Sequence, residues 1–185
     1  MKPGIATAQA LPARPRLPEG RELPFPERSS VARLRALRQE LFKRGKIQAA
    51  LKVAERLMEL APGRESAWRL GVIQRDAGLY RESIKTFRDA LRYRTGPAYV
   101  IPEVHLHAAH SWCRLDDYKR MGECLRRAYR ARPKTRSDFN LHLSFGGYLR
   151  TKKRYAEARA EFERAEKAAT TSLQKGKALA SLGVV

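Results

Sequence analysis

Apolar and small residues fall on one helical face in four separate stretches of this chain. Within each stretch they stand at i, i+3, i+7 and i+10, which is the spacing of one side of an α-helix. The four stretches begin at Ile47, Tyr80, Tyr118 and Tyr155, which lie 33, 38 and 37 residues apart. A pattern that returns at this interval predicts stacked helical hairpins, the architecture of an α-solenoid.

Nine helices are predicted from this pattern and from the turn residues that interrupt it. Glycines, prolines and one pair of aspartates break the chain at Gly45, Pro62-Gly63, Gly78, Gly96-Pro97, Asp116-Asp117 and Pro133. The predicted ranges are 31–43, 47–60, 64–77, 80–94, 100–114, 118–131, 137–151, 155–169 and 172–184. No strand pattern of comparable strength occurs, so the predicted fold class is all-α.

A small residue follows a core residue in the first helix of three of the hairpins. These pairs are Leu70-Gly71, Ala108-Ala109 and Phe145-Gly146. A side chain as small as Gly or Ala allows the second helix of the hairpin to approach closely.

Together these features resemble the tetratricopeptide repeat (TPR). That family has a Leu-Gly pair in its first helix, a Gly-x-Tyr turn, Ala and Phe positions in its second helix, and a closing Pro. The second stretch fits best, through Trp68, Leu70-Gly71, Gly78-Leu79-Tyr80, Phe87 and Ala90-Leu91. The fourth fits through Gly146, Tyr155, Ala158, Phe162 and Ala165, whereas the first departs at Arg38 and the third at Met121 and Gly122.

The resemblance covers about residues 31–185 and implies a helical repeat domain of about four antiparallel hairpins plus a C-terminal capping helix. The hairpins are expected at about 31–63, 64–97, 100–133 and 137–170, and the cap at 172–185. The last helix either caps the array, with Gln174, Lys177 and Ser181 as its polar outer face, or begins a fifth repeat. We favour the cap.

The first 30 residues are set apart from the array. They hold six of the ten prolines and no helical period, which predicts an extended Pro-rich N-terminal arm, disordered alone and ordered on a partner. The segment Leu23-Pro24-Phe25-Pro26 could dock in a groove, including one on its own solenoid. Residues 1–18 are basic, as in organelle transit peptides, but their prolines oppose the amphipathic helix that such peptides need.

The charge of the chain is strongly one-sided. Its 39 Lys and Arg against 19 Asp and Glu give a net charge of +20, which attracts RNA, DNA, anionic membrane surfaces or an acidic protein. We predict a polyanion-binding surface on the helix that begins at Tyr118 and in the turn before Tyr155, with a merely solvated basic face as the alternative. Its residues are Lys119, Arg120, Arg126, Arg127, Arg130, Lys152, Lys153 and Arg154.

The TPR resemblance also implies a peptide groove lined by the first helices of the hairpins. The family's clamp for chaperone tails places Lys and Asn where this chain has Arg35, Gln39, Trp68 and Val72, so that clamp is not expected. A mixed groove of this kind suits an acidic or aromatic-containing segment. The partner-groove residues are Arg35, Trp68, Arg75, His110, Arg114 and Arg150.

Catalytic motifs are absent from the sequence, so we predict no enzymatic activity. His105, His107 and His110, with Cys113 and Cys124, are interpreted as packing residues in preference to metal ligands, and no cofactor is expected. Two cysteines make no disulfide framework and suit a reducing cytosol. Since no apolar run reaches about 18 residues, we expect a cytoplasmic protein without a membrane span.

Two functions stay open at this point. The favoured one is a non-catalytic scaffold, part of a larger complex, that binds a protein partner through its concave groove and an acidic or polyanionic partner through its basic surface. The alternative is an RNA-binding component of a ribonucleoprotein or of another nucleic-acid complex.

Overall fold

The computed structural model describes residues 25–94, 96–131 and 138–185. This part of the chain consists of nine α-helices joined by short turns, so the all-α prediction is confirmed. The helices are α1 (Phe25–Lys43), α2 (Ile47–Leu60), α3 (Arg64–Asp76), α4 (Tyr80–Ala90), α5 (Val100–Arg114), α6 (Tyr118–Ala131), α7 (Phe139–Thr151), α8 (Tyr155–Ala168) and α9 (Ser172–Leu182).

The helices pack as four hairpins in sequence order. The most extensive contacts join α1 to α2, α3 to α4, α5 to α6 and α7 to α8. Successive hairpins meet through α2 and α3, α4 and α5, and α6 and α7, and α9 packs against α8 and α7. This is the α-solenoid of four hairpins plus a terminal helix that the sequence pattern predicts.

The start of α1 differs from the prediction. The helix begins at Phe25 instead of residue 31. The last six residues of the predicted arm, 25–30, therefore belong to the first helix. Pro26 is compatible with this start because the first turn of a helix does not use its backbone N–H groups. The rest of the predicted arm, residues 1–24, lies outside the described residues.

The four sets of apolar positions contribute to the core in every hairpin. Their last three members are buried in every hairpin, whereas their first members lie nearer the surface, with Tyr155 51% exposed. A single cluster of buried side chains runs from α3 to α8. The buried members are Ala50, Ala54, Leu57, Ser83, Phe87, Ala90, Met121, Leu125, Ala128, Ala158, Phe162 and Ala165.

Glycine permits the close approach of the paired helices, as predicted. A Cβ atom on Gly71 would lie 2.5 Å from the Phe87 ring, and one on Gly146 would lie 2.5 Å from the Phe162 ring. Gly122, a departure from the TPR pattern, has the same role between repeats, because a Cβ atom there would overlap the Tyr148 ring.

The loop after α4 is held by a buried arginine. Helix α4 ends at Ala90, four residues before the predicted end. The Arg64 guanidinium donates to the carbonyl oxygens of Tyr93, of Arg94 at 3.2 Å and of Gly96 at 3.1 Å. These bonds satisfy carbonyl groups that follow the helix, and they fix the α4–α5 connection against the start of α3.

The terminal helix α9 buries Ala178 against its neighbours. Its outer face differs from the predicted polar one, because Leu173 is 68% exposed and Leu179 is also exposed. Of the residues expected there, Lys177 is exposed, and Gln174 and Ser181 are half-buried. The interpretation of α9 as a cap stays a prediction.

Candidate functional site

A depression lies where the ends of α3 and α5 meet the start of α4. Its volume is about 530 Å³. Because α3 and α5 are the first helices of consecutive hairpins and pack against each other, residues near their C-terminal ends come together here. We call this the central depression, and its lining residues are Arg75, Asp76, Tyr80, His110, Cys113 and Arg114.

The two arginines of the central depression are held differently. Arg75 donates from Nε to Asp76 Oδ1 at 2.7 Å, and its Nη1 donates to His107 Nδ1. Arg114 is exposed and donates from Nε to the Tyr80 hydroxyl oxygen at 3.1 Å. This bond is the main cause of the raised pKa of Arg114. Within the described residues Arg114 forms no ion pair, so it is the more available cation.

The histidines beside the depression are neutral at physiological pH. Burial, followed by repulsion from Arg75, lowers the pKa of His107 to about 3 and that of His110 to about 4. The His107 ring is beside those of Trp68 and Phe87, whose centroids are each 6.2 Å away. The positive charge of this site therefore comes from its arginines.

The predicted groove residues fall into two groups. Arg75, His110 and Arg114 line the central depression together. Arg35 on α1 and Arg150 on α7 are exposed but lie outside it. Trp68 is only 7% exposed, so its ring offers little surface to a ligand.

A smaller depression extends the same helical layer toward the N-terminus. It lies between α1 and α3 and has a volume of about 260 Å³. Its cations are Arg38, Lys43 and Arg69, and no carboxylate lines it. Burial, followed by repulsion from Arg69, lowers the pKa of Arg38. The surface of the first helices is therefore basic from α1 to α5.

Asp76 and Tyr80 are site residues that the groove prediction did not include. In the sequence Tyr80 is the first residue of a second helix and ends a Gly-x-Tyr turn, yet in the fold its hydroxyl group positions Arg114. Asp76 follows Arg75 directly and forms an ion pair with it at 2.6 Å. The adjacency of Arg75 and Asp76 was visible in the sequence, whereas the Tyr80–Arg114 pair spans 34 residues.

The predicted polyanion surface is exposed in all its parts. On α6 only Arg120 has an ion-pair partner within the described residues, Asp117 at 3.2 Å. In the turn after α7, Arg154 donates to both carboxylate oxygens of Glu157, at 2.6 and 2.5 Å. The cations without an ion pair in this part of the chain are Lys119, Arg126, Arg127, Arg130, Lys152 and Lys153.

Because several tyrosines are buried, the surface has few exposed aromatic rings on which nucleic-acid bases could stack. Tyr93 and Tyr148 are buried, Tyr129 is half-buried, and Tyr99 is exposed beside Trp68. Stacking on bases, which exposed aromatic residues provide in many RNA-binding proteins, is thus restricted to few positions among the described residues.

The described residues contain neither a candidate metal site nor a membrane-spanning helix. They contain no group of three or more His, Cys, Asp or Glu side chains placed to hold a metal ion. Cys113 and Cys124 are both free, and burial is the main cause of the raised pKa of the Cys124 thiol. None of the nine helices is both long and apolar enough to cross a membrane.

No protein-family model matches the sequence, and no curated protein matches it. Solved structures do match. YrrB, described as a TPR protein with an unusual peptide-binding site, has a TM-score of 0.57 at 18% identity, over 80% of this chain and 71% of its own. A MamA double mutant (RS-1 ArsTM) has a TM-score of 0.62 at 14% identity, over 83% of each chain.

The Cut9–Hcn1 hetero-tetramer of the APC/C gives a TM-score of 0.66 at 15% identity, over 79% of this chain and 29% of the matched chain. Identities this low establish the fold alone. The described helices therefore form a TPR-like solenoid, and the resemblance seen in the sequence is confirmed at the level of the fold.

Proposed function

We propose that this chain is a non-catalytic adaptor that binds an acidic segment of a protein partner along its first helices, centred on the central depression. The observation that carries the proposal is the Arg114 guanidinium, which is exposed, oriented by Tyr80 and without an ion-pair partner among the described residues. The TPR-like fold supports it, because helical solenoids commonly present extended binding surfaces.

Carboxylate binding is the chemistry that suits this arrangement. A guanidinium group binds a carboxylate through two parallel hydrogen bonds, and orienting it beforehand reduces the entropy lost on binding. Asp76 already neutralises part of the charge of Arg75, and His107 and His110 are uncharged. The central depression is therefore suited to one carboxylate, bound at Arg114.

A catalytic role does not fit the same residues. Cys113 and His110 line the same depression, but no hydrogen bond joins them within the described part of the chain. His110 Nε2 is instead bonded to Ser144 Oγ at 2.8 Å. A cysteine nucleophile is commonly activated by a base bonded to it, and Cys113 has none among the described residues, so we assign this site to binding.

Arg114→Glu tests the proposal. A photocrosslinking group is placed at position 113, which lines the central depression. With Arg114 intact, it should capture a protein partner that mass spectrometry then identifies. Arg114→Glu should weaken capture about tenfold or more, because it places a carboxylate against the incoming one. Lys167→Glu, at an exposed position on α8, is the matched control and should leave capture unchanged. Undiminished capture by Arg114→Glu would rule out this site.

RNA binding is the second candidate, and the unpaired cations of α6 favour it. Arg126, Arg127 and Arg130 are exposed without an ion pair in the described residues, and phosphate binding requires such free cations. The triple change of these residues to Glu should abolish RNA binding and leave the helix content intact. Absence of RNA binding by the wild-type chain at about 100 mM salt would exclude this candidate.

Cytoplasmic location and membership of a larger complex belong to the same proposal. The two cysteines are free, as is usual in a reducing compartment. An adaptor that offers one surface on its first helices and another on α6 can connect two partners, which supports a role inside an assembly.

A further inference from the structure

A second recess lies between α4 and α6. It consists of two adjoining cavities of about 240 and 420 Å³. Both are lined by Ile84, Arg88, Trp112 and Arg120, so they form one continuous cleft. We call it the outer cleft. Helix α5 packs against both α4 and α6 and supplies its floor.

The floor of the outer cleft is apolar. Leu91, Trp112 and Leu115 line it as half-buried side chains. The Trp112 ring carries the Arg120 guanidinium 4.7 Å from its centroid. Ala108 and other buried apolar side chains of the core also line the cleft. An apolar group entering here would leave water and contact carbon on several sides.

The rim on α4 is basic and unneutralised. Arg81, Lys85 and Arg88 stand at i, i+4 and i+7, which places them on one face of the helix, and all three are exposed. None of them forms an ion pair within the described part of the chain. Their spacing is visible in the sequence, whereas their position opposite α6 depends on the fold.

The opposite rim, on α6, adds Arg120 and Arg127 and two carboxylates. One carboxylate, Asp117, is already paired with Arg120 at 3.2 Å, and the other is Glu123. His105, at the edge of the floor, adds no charge, because burial and then the nearby Arg127 lower its pKa to about 4. Five cations against two carboxylates leave the outer cleft strongly positive.

The geometry points to the outer cleft as a docking site for an acidic segment of a protein partner that carries an apolar side chain between its carboxylates. Charge complementarity selects the acidic segment, since both rims are basic, and the floor selects the apolar side chain. A nucleic-acid backbone would use the cations and leave the apolar floor without a contact. The inference deepens the proposed adaptor function by assigning a partner chemistry to the basic surface.

The rims also set the length of the segment. From Arg81 to Arg88 an α-helix rises about 10 Å, which equals two turns of a bound helix or three to four residues of an extended strand. One apolar residue flanked on each side by Asp or Glu fills that span.

Fluorescence anisotropy with three labelled probes tests the inference. The first probe is the peptide Glu-Asp-Glu-Trp-Glu-Asp-Leu-Glu-Asp-Glu, and the second replaces Trp and Leu by Ser at the same charge. The third is a single-stranded RNA of equal net charge. At about 200 mM salt, where nonspecific attraction is weak, the first peptide should bind about fivefold or more tightly than either of the others.

Two matched double variants locate the binding. Lys85→Glu with Arg88→Glu should weaken binding of the first peptide about tenfold or more. Arg126→Glu with Arg130→Glu reverses the same number of charges outside the cleft and should change it less than about threefold. Equal loss in both double variants, equal binding of the Ser peptide, or tighter binding of the RNA would overturn the inference. Circular dichroism checks that each variant stays helical.

Arg114→Glu separates this inference from the adaptor proposal. If it abolishes binding of the first peptide while the α4 double variant has no effect, the peptide occupies the central depression. That outcome refutes the outer cleft and supports the proposed function. Peptide binding that depends on Lys85 and Arg88, but not on Arg114, supports the outer cleft. This conclusion holds whether or not a partner binds at the central depression.

Discussion

Lys153 occupies a backbone conformation that glycine usually takes. The turns inside the first two hairpins have Gly45 and Gly78 at φ of 70° and 82°, whereas the last has Lys153 at 58°. A residue with a Cβ atom costs about 1 kcal/mol in this left-handed region. The positive charge of Lys153 is thus present at a conformationally unfavourable position.

Lys153→Gly should therefore stabilise the protein. We expect an increase of about 0.5–1 kcal/mol in the free energy of unfolding, because glycine removes the strain but is more flexible in the unfolded chain. The control is Lys152→Gly, at φ of −90°, which removes the same charge without relieving strain. Urea denaturation measures both. A gain in both variants would assign the effect to charge instead of backbone conformation.

The contact between α7 and α8 shows the importance of a single glycine to the packing of an element. Gly146 and Gly147 are neighbours in α7, yet their surroundings differ. A Cβ atom on Gly146 would meet the Phe162 ring at 2.5 Å, whereas one on Gly147 would meet nothing within 4 Å. Because Phe162 is buried, its ring has little room to move away.

Gly146→Ala should cost about 1–3 kcal/mol through this overlap. Gly147→Ala should instead stabilise α7 by up to about 1 kcal/mol, because alanine has the higher helix propensity. Both are measured from the midpoint of urea unfolding at unchanged slope. The two changes in the free energy of unfolding should have opposite signs. Destabilisation by both variants would contradict the packing of α7 against α8 described above.

Helix positions were predictable because they depend on local patterns. Helices α2, α5 and α6 have the predicted bounds, since each lies between turn residues; α2 and α6 also carry the full set of spaced core positions. The contacts that join the elements were not predictable. Arg64 bonds to carbonyl groups about 30 residues away, and Ser83 Oγ and Ser111 Oγ form a buried bond of 2.8 Å between α4 and α5. Such pairs follow from tertiary placement alone.

At the scale of the molecule, the location of charge was only partly predictable. The excess of Lys and Arg was evident, but its division between surfaces depends on the folded structure. Glu161 is one of several acidic residues on α8. In the fold it is buried and bonded to His142 at 2.8 Å. The basic residues of α4 form one rim of the outer cleft only because the fold places α6 opposite them.

The stability of the whole chain should depend on pH through its buried histidines. The pKa of His107 is about 3 in the fold, against an ordinary value of 6.5. Burial is the main cause, and Arg75, His110 and Arg69 add to it in that order. Since the folded pKa is depressed, the stabilisation is complete above pH 6.5 and is lost as the pH falls toward 3, because the unfolded chain takes up the proton first.

His107→Gln isolates this contribution, since the glutamine oxygen can still accept the bond from Arg75. Between pH 6.5 and pH 5 the wild-type chain should lose about 1.5 kcal/mol more of its free energy of unfolding than the variant. Protonation of His105 and His110 in the unfolded state lowers the stability of both chains as the pH falls. Their contributions therefore cancel when the two losses are subtracted. Urea denaturation at the two pH values measures it. Parallel losses would mean that His107 is protonated in the folded chain at pH 5, which its burial beside Trp68 and Phe87 disfavours.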